Sequence, residues 1–365
     1  MGQHPLLHID LDKIQHNTKT IVQLAAQQGI SIMGVTKCCC GSPSVAHRMM
    51  QGGATMIADS RIQNIKHLKK NGIPGDLVLL RTPMISEIRD VVTWADLSLN
   101  SEIQVINKLS HEAHGQHKTH RVIIMVEMGD LREGIPSQYL HDIIDTTLSC
   151  KHIELYGLGM NLACFGGVVP TPDKVTAFSH LVEEMEKDFA IQIPLVSGGN
   201  SANIPLLLEH ADSYRVNNLR IGEGILLGLE TVHRTPIPGT YQDAFTVEAE
   251  LIELQQKPSL PYGKISQDAF GKKPEFTDQG IRTRGLLAIG RQDVLIEGLQ
   301  PRDKHVKILG GSSDHIIVDV PPGHYQVGDT LAFTPSYGAL LSLFTSSYVT
   351  KKFHGYSHPK KYLIF

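Results

Sequence analysis

Lys37 stands where an apolar run, residues 31–35, gives way to Cys38, Cys39, Cys40 and Gly41. An amine at a strand end, with its four-carbon stem against apolar walls, loses solvation and has its pKa lowered, which suits it to form a Schiff base with a carbonyl. Two Gly-containing turns add to it. Ser197, Gly198, Gly199, Asn200 and Ser201 supply flexible backbone and donor side chains ahead of a helical pattern, and Arg220, Ile221, Gly222, Glu223 and Gly224 repeat the idea after the next apolar run. Such turns at helix starts receive phosphate groups well. A lysine and a phosphate cradle together serve either a cofactor that carries an aldehyde and a phosphate, or a cofactor-free lysine aldolase whose substrate brings its own phosphate.

Something must bring these residues to one place. Short apolar runs recur at 31–37, 55–59, 76–81, 97–100, 122–129, 155–161, 194–199 and 219–224, with helical patterns between them. Eight strand-helix repeats, preceded by a strand over 6–10 and a helix over 11–28, predict a (β/α)8 TIM-like barrel. A doubly wound open sheet shows the same alternation, and the count of eight favours the barrel. The barrel's working face is the carboxyl end of its strands. Polar residues close the runs there: Lys37, Asp59, Arg81, Asn100 and Asn161, with the fifth run leading through Met128, Gly129 and Asp130 to Arg132. After Pro236 the texture turns to strand-like runs and turns, so a boundary is expected near residue 235, with a barrel over 1–235 and a mostly-β domain over 236–365.

Composition narrows the function. At 365 residues two domains are the expectation, and a formal net charge of -3 argues against nucleic acid or an anionic membrane as partner. No secretory signal or membrane-length apolar run is visible, so the expected location is cytoplasmic. Five cysteines, three of them adjacent, make a poor disulfide framework and a poor metal site, and are read as small packing residues. The nineteen histidines lack metal-ligand spacing, and no metal is expected. The basic stretch 351–361 reads as a solvated terminus.

Taken in order, residues 8–17, the Val35, Thr36 and Lys37 motif, 130–134 with Arg132, 197–201 and 220–224 resemble the alanine-racemase-like family of pyridoxal phosphate enzymes, called fold type III. Residues 161–171 (NLACFGGVVPT), 268–271 (DAFG), 290–294 (GRQDV), 311–315 (GSSDH) and 336–341 (SYGALL) resemble its ornithine racemase branch. The resemblance implies pyridoxal 5'-phosphate bound through Lys37, which also serves as one acid/base. It implies Arg132 facing the cofactor's phenolic oxygen and the substrate, and Arg220 beside the pyridine nitrogen. Asn200, Ser201, Ile221 and Gly222 would form the phosphate site, with Asn161, Ser197, Gly198 and Tyr337 as further cofactor contacts. Racemisation needs acid/base groups on both faces of the α-carbon. By resemblance the second is a tyrosine from the partner subunit's β domain in a homodimer with shared sites, Tyr262 first and Tyr337 in reserve. Ser313 and Asp314 would reach the partner's site, where Asp314 or Asp293 would pair with a distal ammonium, or else either Asp would only cap a turn.

This chain departs from alanine racemases in having Cys38 to Gly41 where they carry a tyrosine, and Asn161 where they carry a histidine. The expected activity is interconversion of L- and D-enantiomers of a free amino acid, ornithine or another basic one. The alternatives are a broad-specificity or alanine/serine racemase and, in another class, a non-catalytic pyridoxal phosphate carrier, which would look like a bare barrel. A decarboxylase of this fold would show a histidine-glycine-serine motif, which is missing.

Overall fold

The computed structural model describes residues 4–209, 215–271 and 273–355, which fall into two compact units. Strand β1 (Leu6–Asp10) belongs to the second unit, and the first begins with α1 (Leu11–Ala26). Leu11, Ile14, Thr18, Ile21 and Ala25 are its buried stripe, the i, i+3, i+4 spacing of an amphipathic helix.

Eight parallel strands follow: β2 (Ser31–Val35), β3 (Met56–Asp59), β4 (Asp76–Leu79), β5 (Leu97–Asn100), β6 (His120–Val126), β7 (Ile153–Met160), β8 (Leu195–Ser197) and β9 (Asn218–Ile221). They form a closed barrel in sequence order, with β9 paired back onto β2, as the count of eight runs predicts. The connecting helices are α2 (Pro43–Gln51), α3 (Ile62–Lys70), α4 (Ile88–Trp94), α5 (Ile103–Gly115), α6 (Leu140–Ser149), α7 (Pro172–Asp188), α8 (Ile204–Leu208) and α9 (Glu223–Leu227). Strands with both faces covered read as continuous apolar runs rather than alternations, which is why the runs were legible. One face of β2 to β6 contributes to a shared core that includes Met33, Val35, Ala58, Val78, Leu99, Ile123 and Met125.

Ser98 and Asn100 alternate with Leu97 and Leu99 and lie on the opposite face of β5. There Ser98 Oγ is 2.8 Å from His120 Nε2 and accepts from Asn100 Nδ2 at 3.0 Å. Burial, with Arg121 adding to it, pushes the His120 pKa down from 6.5 to about 4. The folded state therefore refuses a proton that the unfolded chain accepts below pH 6.5. This cost is absent above that pH and grows as pH falls toward about 4. At pH 5 it comes to roughly 2 kcal/mol. Denaturant midpoints at pH 7.5 and 5 should show His120→Asn losing less stability on acidification than the wild type. Equal losses would rule His120 out as the cause.

The second unit combines β1 with β10 (Phe245–Pro258), β11 (Ile281–Leu287), β12 (Leu299–Pro301), β13 (Lys307–Gly311), β14 (Ile316–Asp319), β15 (Thr330–Pro335), helix α10 (Tyr337–Thr345) and β16 (Thr350–His354). The main path β12-β15-β10-β11-β14-β13 is antiparallel. Along β10, Phe245, Val247, Ala249 and Leu251 are buried at every second position, the mark of a strand with one covered face. Two features differ from the sequence expectation. Residues 4–10 join this unit, since β1 pairs antiparallel with β10 and parallel with β16, and the division falls at Gln242 and Asp243 rather than near 235. Lys351 and Lys352 are part of β16, not of a solvated tail; residues 356–361 of that stretch lie outside the described residues. In both cases the partner strand is distant in sequence, so local pattern gives no sign of it.

Candidate active site

β2 ends at Val35, one buried residue, Thr36, follows, and Lys37 opens a 3-10 turn, Lys37–Cys39. The turn is tied down from below. Thr36 donates its hydroxyl to Asp59 Oδ2 at 2.9 Å, and Asp59 Oδ1 accepts from the Arg61 backbone N–H at 3.0 Å and from Asn64 Nδ2 at 2.9 Å. Burial raises the Asp59 pKa, and these three donors oppose it. Cys38 and Cys39 are buried packing residues, and burial pushes both thiols well up, so they are poor nucleophiles. Lys37 itself is exposed, against the expectation of apolar walls around its stem. What fixes it is the backbone turn, held through Thr36 and Asp59, rather than a pocket for its side chain.

Arg220 lies on the neighbouring strand, in register with Met33 of the barrel core, so its side chain is on the interior face. It is 6% exposed. Nη1 donates to Ser197 Oγ at 2.5 Å and Nη2 to the Met160 carbonyl at 2.7 Å, with Asn161 Oδ1 at 3.4 Å. Ser197 passes its own hydroxyl on to Asn218 Oδ1 at 2.8 Å. Ser197 is therefore part of the socket of Arg220, which narrows the role expected for it. Burial lowers the Arg220 pKa to about 10, with the Glu133 charge opposing and the Arg132 charge adding to the shift. At neutral pH the guanidinium stays charged.

The two Gly turns sit beside this arginine. Asn200 caps the turn after β8: its side chain accepts from Ala202 N–H at 2.8 Å, while Asn203 Oδ1 accepts from Asn200 N–H at 3.1 Å. Gly199 has φ of +139°, and a Cβ there would lie 2.1 Å from Asn203 Oδ1, so only glycine serves. Asn200 Nδ2 reaches Asn161 Oδ1 at 3.0 Å and the Leu162 carbonyl at 2.8 Å. Ser201 Oγ accepts from Gly224 N–H at 3.1 Å, joining the two turns and leaving its own hydrogen to donate. Gly222 lies against Val35, where a Cβ would be 3.2 Å from that residue's Cβ. The cradle is thus beside the lysine's strand, not across the barrel from it, because closure makes β9 and β2 neighbours. Asn161 Nδ2 is buried and has no partner among the described residues. A donor without an acceptor, a hydroxyl free to donate and Gly-lined turns fit a bound anion such as a phosphate ester.

Arg132, on the loop after β6, is exposed. It forms a two-pronged ion pair with Glu133, and its Nη1 contacts Cys164 Sγ. Buried Asp130 locks this loop to the one after β7 by accepting from Cys164 N–H at 3.2 Å and Phe165 N–H at 2.9 Å. The first unit therefore brings together Lys37, Arg132, Asn161, Ser197, Gly198, Asn200, Ser201, Arg220, Ile221 and Gly222. Of the groups sequence reading missed, Asn203 had a signal, the Asn-x-x-Asn spacing of a capping box. Asp59 was visible only as a polar strand end, and the Met160 carbonyl had no signal at all.

The remaining candidates are in the second unit. Tyr262 is 95% exposed, and Tyr337 is half-buried at the first position of α10. Ser313 and Asp314 occupy the turn between β13 and β14, where the Ser313 hydroxyl donates to Asp314 Oδ1 at 2.5 Å and lowers its pKa. Asp293 is buried and accepts from Ser346 Oγ at 2.7 Å and from Gly290 N–H at 3.4 Å. Of these contacts, the one from Gly290 N–H to Asp293 caps the turn over residues 290–293.

Residues 9–229 match the family model described as alanine racemase, N-terminal domain. The chain belongs to that family. It is 41% identical over 352 residues to a protein of Acetoanaerobium sticklandii named ornithine racemase, covering 96% of this chain and 99% of that one. It is 38% identical over 349 residues to a Thermotoga maritima protein named lysine racemase, covering 95% and 98%. Its fold is like that of alanine racemase from Streptomyces lavendulae, with TM-score 0.76, 16% identity and coverage of 97% and 98%. The alanine racemase of Streptomyces coelicolor A3(2) gives TM-score 0.78 at 17% identity, covering 96% and 98%. Members of this family thus share the barrel followed by the β-rich unit.

Proposed function

We propose that the chain is a pyridoxal phosphate-dependent amino-acid racemase (an isomerase) that interconverts the enantiomers of a free basic amino acid, ornithine first and lysine after it. The observation that carries this reading is the closure of β9 onto β2. It sets the turn that Lys37 opens, just past the end of one strand, beside Arg220 and the Gly222 turn of its neighbour. The names of the two relatives above support the substrate class.

Asn200, Ser201, Ile221 and Gly222 would hold the cofactor's phosphate, Asn161 would supply a further donor, and Lys37 would carry the cofactor covalently. Pyridoxal phosphate, when bound, withdraws electrons from the substrate's α-carbon and so acidifies its hydrogen. Arg220 would lie beside the ring nitrogen, where its charge at neutral pH would keep that nitrogen unprotonated and so limit electron withdrawal to what proton removal and return require. Lys37 Nζ serves as acid/base on one face. Tyr262, with Tyr337 in reserve, serves on the other from the partner subunit of a homodimer, where Ser313 and Asp314 also reach the site. A non-catalytic carrier would have no use for the antiparallel second unit.

Purified protein loaded with pyridoxal phosphate should exchange the α-hydrogen of single enantiomers of ornithine or lysine in deuterated water, with matching loss of optical rotation. Cofactor binding without exchange of any amino acid would overturn the racemase reading in favour of the carrier.

A further inference from the structure

A cationic substrate side chain needs an anion inside the site, and most acids around the barrel mouth are already committed. Asp59 is occupied by Thr36, Arg61 and Asn64, Asp130 by the backbone of Cys164 and Phe165, and Glu223 forms an ion pair with Arg234. Asp293, in the second unit, is buried under Ser346 and Gly290. Glu133 differs. Its side chain is 26% exposed, and the cation it pairs with is its own chain neighbour, Arg132.

Hydrogen bonds place the pair in the mouth. Arg132 contacts Cys164, three residues past Asn161, and Asn161 Oδ1 accepts from both Asn200 and Arg220. The Arg220 charge senses Glu133 as the foremost opposing charge, in keeping with that location. A carboxylate offers about four acceptor positions, and a forked arginine takes two. Glu133 therefore has room for an ammonium without releasing Arg132.

We infer that Glu133 is the specificity-determining residue for a substrate with a distal ammonium, accepting that group while Arg132 beside it addresses the anionic end of the same site. The inference rests on the racemase reading above and deepens it by naming the group that selects a basic amino acid. It also moves that role from the second-unit acids Asp293 and Asp314 to the barrel.

The test uses α-methyl amino acids, which have no α-hydrogen to lose and so report binding alone. Calorimetric titration of the holoenzyme compares α-methylornithine with α-methylnorvaline, the same chain without the distal amine. Glu133→Gln should weaken the first roughly 10- to 100-fold, as expected for a hydrogen bond to a charged group, and leave the second within about twofold. Glu133→Asp keeps the charge but withdraws it by one methylene, and should shift preference from α-methylornithine toward the longer α-methyllysine. If Glu133→Gln weakens both analogues together, Glu133 acts only by holding Arg132 and the inference fails. It also fails if neither analogue is affected, or if Glu133→Asp leaves the ornithine-to-lysine preference unchanged. A wild-type enzyme that does not distinguish α-methylornithine from α-methylnorvaline would remove the basic-substrate reading itself.

Discussion

Lys37→Ala is expected to lower racemisation of ornithine at least roughly a thousandfold, the scale on which removal of a covalent catalytic group acts. The absorbance of lysine-bound pyridoxal phosphate should vanish with it. The loss should be chemical, not structural. Lys37 is exposed, its turn is fixed by Thr36 and Asp59, and exposed side chains away from such anchors change stability by no more than about 0.5 kcal/mol. Thermal unfolding of the variant should therefore match the wild type. Retained turnover or retained absorbance would remove Lys37 from the mechanism.

Arg220→Gln should combine two losses. In the fold, Ser197 Oγ and the Met160 carbonyl lose a buried charged donor, which should cost roughly 2–4 kcal/mol. In the proposed reaction, where Arg220 would lie beside the cofactor's ring nitrogen, removal of its charge should lower kcat by roughly 10²–10³. Arg220→Lys keeps a charge without the two-pronged fork, and should recover stability only in part. Because burial holds the Arg220 pKa near 10, below its usual value, the guanidinium loses its proton as pH rises through that value. Wild-type kcat should then change in the same range, and the change should be absent from Arg220→Gln. An unaltered denaturant midpoint together with unaltered kcat in Arg220→Gln would show that the socket supports neither fold nor reaction.

The barrel was legible because strands covered on both faces are written as uninterrupted apolar runs, and eight of them recur between amphipathic helices. The candidate site was legible to the extent that it is made of strand ends and Gly turns: the places of Lys37, Asn200, Ser201, Arg220 and Gly222 in the fold were all readable from position in a repeat. The assignment of β1 to the second unit was not, because its partners β10 and β16 lie more than two hundred residues away in the chain. Nor was the exposure of Lys37. A short apolar run ahead of a lysine says that the strand is buried, but gives no information about the side chain that follows it.

The amino-acid sequence by itself determined the architecture class, the order of the strands and the residue types available at each strand end, because these depend on local hydrophobic period and on turn chemistry. Only the tertiary structure decided which of those ends became neighbours. Closure of β9 onto β2 put the Gly222 turn beside Val35 rather than across the barrel from it. Asp130 drew Cys164 to Arg132, and Ser197 and Met160 formed a buried socket for Arg220. Each of these contacts joins segments separated by tens to hundreds of residues, and is fixed by barrel closure and the satisfaction of buried polar groups, neither of which leaves a periodic trace in the chain.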